Sequence, residues 1–231
     1  MYKNIATKTS LNNQPSSGTR AKKKKNSLIS NTEPNKLDFQ CHENKNQISK
    51  CRKEENKQVT IEQVKLTRCI AMDCEMVGIG DGKESMIARV SIVNDCGVCI
   101  YDKYVKPMVT VKNYRTPVSG IRPHHLKNGE DFEIVHKEVG DILRGRILVG
   151  HALHNDLYVL FLFHPKHLQR DTAKYFRKLT KGSTPSLKRL ATEFLDLDIQ
   201  NGEHNSIEDA RTAMQLYKLF KTRWENDLRR K

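Results

Sequence analysis

The chain has 231 residues, with 41 Lys and Arg against 27 Asp and Glu and a formal net charge of +14. That length suits one ordinary domain and a tail; no apolar run is long enough to cross a bilayer, and the first residues lack the apolar core of a signal peptide. The cationic excess favours a polyanionic partner, nucleic acid before an anionic membrane surface, while six cysteines at irregular spacing imply no disulfide framework and suit a reducing compartment.

Residues 1–66 hold 14 of the 41 Lys and Arg, are rich in Asn, Ser, Thr, Gln and Lys, and are poor in aromatics. Such a segment cannot bury enough apolar surface to offset its ordering entropy. Residues 1–65 therefore read as a disordered basic tail, with room for one helical turn around Val59–Val64, and residues 66–231 as the folded domain. Within the tail, RAKKKKN (residues 20–26) has the composition of a nuclear import signal or a nucleic-acid contact; the plainer alternative is a solvated charge run. Residues 1–32 lack acids and abound in hydroxyls, as mitochondrial presequences do, but one Arg and few apolar residues give no amphipathic face.

The pattern changes at Leu66. KLTRCIAMDCEMVG (65–78) reads as a first strand, SMIARVSIVND (85–95) as a second, and VCIYDKYVKP (98–107) as a third ended by Pro107, with a tight turn at Asp95–Gly97. Short connections imply an antiparallel meander. Residues 111–129 read as a loop. Ile134, Val135, Val139, Ile142 and Leu143 recur at helical spacing over 132–146. ILVGH (147–151) is a short buried strand, and 155–163 a buried-type helix stopped by Pro165. A short strand near Asp171, a helix over 186–195 after Pro185 and a long helix over 206–230 complete an α/β fold, a mixed sheet with helices packed on it.

Two carboxylates interrupt the apolar first strand. Asp73 and Glu75 are two residues apart, so they share one face at roughly 7 Å along the chain; unpaired, they repel each other and lose hydration. Asp156 opens the helix after ILVGH, Asp209 lies in the first turn of the last helix, and His204 just precedes it. Four carboxylates and a His at element ends that meet at one sheet edge make a hard, oxygen-rich site for divalent ions. Two ions about 4 Å apart would neutralise the carboxylates and clamp a phosphodiester. Each residue also has a plainer reading. Ser206 and Asp209 have capping-box spacing, and Asp156 suits the N-terminal helix dipole. His151 and His154 compete with His204 as a base, although His151 directly follows an apolar strand and reads as a core or supporting histidine. His124 and His125 follow a Pro in a loop and would face solvent or substrate phosphate, and Asp171 reads as a supporting group at most.

MDCEMVG (72–78), ILVGHALHNDL (147–157) and HNSIEDARTAMQLY (204–217), in that order, resemble the motifs of the DEDDh 3′→5′ exonucleases, and YRTPVSGIRPHHL (114–126) resembles the branch that includes RNA exonuclease 4 and the interferon-stimulated exonuclease. The resemblance spans residues 66–227. It implies a ribonuclease H-like fold and a two-metal-ion hydrolase, with Mg²⁺ or Mn²⁺, that releases 5′-mononucleotides from the 3′ end of single-stranded RNA, single-stranded DNA being left open as a second substrate. By the same resemblance Asp73 would bridge both ions with Glu75 beside it, Asp156 would serve the second ion in part through water, and Asp209 would hold the ion on the nucleophile side. His204 would take the proton of the attacking water. Met76 would contact the terminal base or sugar, and Arg115 the substrate. Ribosomal-RNA processing in the nucleolus is implied in the same way.

Cys96 and Cys99 form a CxxC, but a structural zinc site needs four ligands, and Cys41, His42 and Cys51 lie in the tail, so zinc is not expected. Cys69 and Cys74 read as small core residues. Two alternatives to an RNA exonuclease stand. A DNA proofreading or repair exonuclease differs in 2′-hydroxyl contacts that a sequence does not display. A non-catalytic nucleic-acid-binding module has no reason to gather four carboxylates beside a polyanion.

Overall fold

β1 (Cys69–Ile79), β2 (Glu84–Asn94) and β3 (Cys99–Tyr104) form the expected antiparallel meander. β4 (Ile147–Gly150) and β5 (Gln169–Asp171) extend it on the other side of β1 as parallel strands. The order is β3-β2-β1-β4-β5, which makes β1 the central strand of a ribonuclease H-like mixed sheet. The computed structural model describes residues 65–180 and 183–230. The expected tail lies outside the described residues except for Lys65, and with it RAKKKKN, Cys41, His42 and Cys51. No helix among the described residues is long and apolar enough to cross a membrane.

The helices are α1 (Thr116–Ser119), α2 (Pro123–Lys127), α3 (Phe132–Leu143), α4 (His154–Val159), α5 (Thr172–Thr180), α6 (Leu187–Leu190), which runs on into a π turn at Ala191–Leu195, and α7 (Ser206–Arg229). Alternation along β1 divides the core between them. Ile70, Met72 and Cys74 enter a cluster with Val135 and Val139 of α3 and Leu157 of α4. Cys69 and Ala71 point the other way, onto Ala210, Ala213, Met214 and Tyr217 of α7. Asp73 and Glu75 continue this second series, so both carboxylates lie on the side of the sheet that α7 covers. Opposite them on β2 stand Ser91 and Arg89, and the register then slips between Glu75 and Met76, passing over Ala88. A bulge there ends the regular ladder beside the acidic pair and turns the rest of β1.

The structure corrects several expected elements. The loop over 111–129 contains α1 and α2, each with a Pro in its first turn, where a fixed φ and a missing N–H cost nothing. Arg115 before α1 and Gly120 after it are left-handed, at φ 52° and 65°. The helix expected over 155–163 ends at Val159, not at Pro165: Phe161 turns left-handed at φ 51° and Leu162 N–H closes on Leu157 O at 2.9 Å. α5 was not expected at all. Its N-terminus is capped by Asp171, whose Oδ1 accepts from Lys174 N–H at 3.3 Å, and it buries Phe176 and Tyr175 against α7, where the Tyr175 and Trp224 rings stack at 3.9 Å.

Candidate active site

The first carboxylates come from the C-terminal half of β1. Asp73 is half-buried and Glu75 is 5 % exposed. Gly150, at the end of β4, lies so close to Leu153 and to Met72 O that no Cβ fits, and this close approach brings the chain into α4 with Asp156 in its first turn, 3 % exposed. Asp209, 2 % exposed, comes from the first turn of α7. It does not serve as a cap, because that role belongs to Asn205, whose side chain accepts from Ile207 N–H at 3.2 Å. The plainer capping reading of Asp209 therefore does not hold.

Electrostatics tie the four together. Burial, then the charges of Asp156, Asp209 and Glu75 in turn, hold the Asp73 carboxyl well above the usual carboxylate range. Burial and Asp209 push Glu75 up to about 8, against the pull of Arg89 and of the Ser206 backbone N–H. Burial raises Asp156, opposed by the Cys74 thiol and by the backbone N–H groups of Asp156 and Cys74. Burial raises Asp209, opposed by Gln200 and His204. Each shift has the same meaning: the fold gathers negative charge that its own side chains do not neutralise. Among the described residues no Lys or Arg ion pair reaches these four groups; Arg89, the cation opposite Glu75, is bound to Asp102 at 2.7 and 2.8 Å.

Two buried oxygens, Glu75 Oε1 and Asp209 Oδ1, have no hydrogen-bond partner. Orphaned anionic oxygens from separate elements, gathered among four carboxylates, fit a hard divalent cation. As the side chains stand, no three His, Cys, Asp or Glu among the described residues close into a finished ligand cage. Cation binding would thus draw these groups inward and release the protons they hold.

His204 stands at the mouth of the cluster, its side chain 31 % exposed and its Nδ1 3.7 Å from Asp209 Oδ2. Its backbone N–H donates to Val118 O at 2.6 Å, which ties the loop before α7 to α1. The competing histidines are engaged elsewhere or point away. His151 Nδ1 meets Thr172 Oγ1 at 2.9 Å, and Thr172 donates to Gly150 O at 3.0 Å, so this pair joins the ends of β4 and β5. His154 is exposed. His125 stacks on Tyr104 at 4.6 Å and His124 packs edge-on against it. Asp171 accepts from Ala152 N–H at 3.0 Å and so holds the turn that leads to Asp156.

Met76 is half-buried beside the α3–α4 core. Arg115, half-buried, braces the β1–β2 hairpin: its guanidinium donates to Ser85 Oγ, Gly82 O and Lys83 O at 2.8, 3.2 and 2.9 Å. Cys96 Sγ and Cys99 Sγ lie 3.5 Å from Asp95 Oδ1 and Tyr101 O respectively.

Sequence reasoning missed the groups that aim the carboxylates. Gln200 Nε2 donates to Asp209 Oδ2 at 2.8 Å from a left-handed residue, φ 55°, in the loop before α7. Ser91 Oγ bonds Asp102 Oδ1 and Ser206 Oγ, both at 2.7 Å, and the Ser206 backbone N–H faces Glu75 and favours its ionised form. A chain of contacts thus runs from Arg89 through Asp102, Ser91 and Ser206 to Glu75. Nothing in the spacing of these residues signals it, because it links three strands and a helix, with 115 positions between Ser91 and Ser206 alone.

Comparison with known proteins agrees with this geometry. The exonuclease family profile, RNase_T, matches residues 70–217. RNA exonuclease 4 of Mus musculus is 60 % identical over 164 residues, which is 70 % of this chain and 38 % of that protein. RNA exonuclease 4 of Saccharomyces cerevisiae is 57 % identical over 160 residues, 68 % of this chain and 55 % of that protein. The chain therefore spans less than two thirds of the length of either relative. Among solved structures, the Saccharomyces cerevisiae Pan2 pseudoubiquitin hydrolase–RNA exonuclease module in complex with AAGGAA RNA aligns with a TM-score of 0.64 and 32 % identity, over 74 % of this chain and 32 % of that one. The Neurospora crassa Pan2 catalytic unit aligns with a TM-score of 0.62 and 29 % identity, over 75 % of this chain and 29 % of that one.

Proposed function

The chain belongs to the exonuclease family, and from that premise we propose that it is a metal-dependent 3′→5′ exonuclease that hydrolyses single-stranded RNA to 5′-mononucleotides. The observation that carries this reading is the acidic cluster itself. Asp73, Glu75, Asp156 and Asp209 arrive from β1, α4 and α7 with two buried oxygens unpartnered and, among the described residues, no Lys or Arg ion pair to neutralise them. RNA as substrate is supported by the RNA exonuclease 4 relatives and by the RNA-bound Pan2 neighbour.

When bound, divalent ions would supply charge neutralisation and an activated water. Asp73, Glu75, Asp156 and Asp209 would hold them. His204, with Nδ1 turned toward Asp209, leaves Nε2 to receive the proton of the attacking water. Gln200 keeps Asp209 oriented, and Ser206 does the same for Glu75. Met76 lies next to Glu75 on β1 and would contact the terminal nucleotide. The wider role we propose, ribosomal-RNA processing in the nucleus and its nucleolus, follows from the motif resemblance, and the basic run at residues 20–26 suits nuclear import.

The test is a time course on 3′-labelled and 5′-labelled RNA and DNA single strands with Mg²⁺, Mn²⁺ or EDTA, alongside Asp73→Asn. A ladder that shortens from the 3′ end, needs the metal and is absent in the variant is expected. RNA bound but uncut in every metal would overturn the reading in favour of a binding module, and a DNA-only ladder would overturn the substrate.

A further inference from the structure

On the face of α4 away from Asp156 lies a cleft of about 820 Å³ that the proposed catalytic groups do not use. It owes its shape to the early end of α4. With Phe161 left-handed, the chain leaves the helix and carries Phe163 to the surface, 85 % exposed. Tyr158, on the outer face of α4, is 69 % exposed. Both rings line the cleft, whose floor includes Leu157, Tyr175 and Trp224. Tyr175 and Trp224 stack on each other, so the ring faces open to a ligand are those of Tyr158 and Phe163. Four cations, Lys166, Lys174, Lys178 and Arg230, border it against Asp171 and Asp227. Asp171 already accepts two backbone N–H groups and pairs with Lys174 at 3.4 Å.

We propose that this cleft binds the single strand of RNA 5′ of the nucleotide being removed, with bases stacking on Tyr158 and Phe163 and phosphates meeting Lys166, Lys174 and Lys178. Exposed flat rings interleaved with cations are the chemistry that grips a single strand without reading its sequence. The exposed ring faces set among the cations favour RNA over an acidic peptide, which would need the charges alone. Asp156 and Tyr158 are two residues apart on one short helix, hence on opposite faces of a cylinder about 10–12 Å across. A strand leaving the carboxylates would cross α4 over the exposed His154 and Asn155 to reach the cleft, which His154 also lines. The inference rests on the exonuclease reading and adds a length requirement: strands too short to cross α4 gain nothing from the cleft.

The experiment measures KM and kcat on a series of oligouridylates from about 4 to about 16 nucleotides, the span of known single-strand sites. It uses the full chain, a Tyr158→Ala/Phe163→Ala variant and a Lys166→Gln/Lys178→Gln variant. For the wild type, KM should fall with length. Both variants should raise KM about tenfold on the longest strand while leaving the shortest, which also reports on folding, unchanged. The lysine variant should also flatten the dependence of log affinity on log salt by about 1.4. Variants that keep the wild-type length dependence would overturn the proposal and leave the cleft to a protein partner of acidic character. If the wild type cleaves no strand of any length, the exonuclease reading fails separately. Fluorescence anisotropy on the longest strand then decides the cleft: affinity unchanged in both variants overturns it, and affinity lost in both sustains it as a binding site.

Discussion

Ser91 Oγ and Ser206 Oγ lie 2.7 Å apart with no exposed surface, joining the middle of β2 to the first residue of α7. Through this contact the helix that carries Asp209 is fixed relative to the strand pair that carries Glu75, and the Ser206 N–H is aimed at the Glu75 carboxylate. Ser206→Ala removes a buried hydroxyl while Ser91 keeps Asp102. The loss of stability should be small, about 1 kcal/mol. The functional loss should be larger, about 10–100-fold in metal affinity or turnover, as for other groups that orient ligands. Urea denaturation together with Mg²⁺ titration of activity separates the two, and equal losses in both would show that the contact only holds the fold.

Removing charge from the cluster should abolish turnover and strengthen the metal-free protein. The folded pKa of Glu75, about 8, is above its ordinary value of 4.5. Between those values the folded state keeps a proton that the unfolded chain releases, so stability falls as pH rises from about 4.5 toward 8. Glu75→Gln keeps the shape and removes this loss. In EDTA at pH 8 the variant should melt above the wild type, by about 1–3 kcal/mol of stability. Added Mg²⁺ should raise the melting temperature of the wild type and not of the variant. Calorimetry at pH 5 and pH 8, with and without metal, checks all three signs.

The sheet and its acidic residues were legible because they obey local rules. Alternation at Ile70, Met72 and Cys74 marks β1, and two carboxylates on its other face are an anomaly that a sequence displays. Asp156 and Asp209 at helix starts suit a dipole or a cap when read alone, and became legible only beside Asp73 and Glu75 and through the motif resemblance. What stayed hidden depends on single backbone torsions or on distant partners. Phe161 adopts φ 51° and cuts α4 short, yet nothing in FLF distinguishes it from a helix interior. α5 is nine residues long, too short to show a period, and starts where Asp171 caps it. Arg115 reads as a substrate contact only through the resemblance at YRTP, and nothing in the sequence shows the bracing role it has in the fold. Here three acceptors in the β1–β2 turn and the start of β2, 30 to 33 positions away, hold it.

His204→Ala should separate chemistry from metal binding. The imidazole approaches Asp209 no closer than 3.7 Å, and Gln200 already holds that carboxylate. The variant should therefore keep the thermal shift on adding Mg²⁺ and its KM, while kcat falls about 10²–10⁴-fold, the usual worth of a general base. A lost thermal shift would mean that His204 acts by placing Asp209 instead of by accepting a proton.

The C-terminal part of α7 is locked to edge strand β5 by Arg170. Its guanidinium grips both oxygens of Glu225 at 2.6 and 2.9 Å, and Tyr217 OH donates to the same carboxylate at 2.9 Å. The Arg170 side chain is 6 % exposed and that of Glu225 is 24 % exposed, so Glu225→Gln leaves a nearly buried guanidinium short of a counter-charge and should cost about 2–3 kcal/mol. The Arg170 hydrogen bonds, and then that of Tyr217, hold Glu225 below its ordinary 4.5. A lowered carboxylate stabilises the fold fully above its unfolded value and loses that contribution as pH falls through its folded value. The stability gap between wild type and Glu225→Gln should thus be constant from about pH 6 upward and close below pH 4.5. Urea midpoints across that range measure it, and a gap that persists at acid pH would assign the cost to packing around Arg170 instead of to the ion pair.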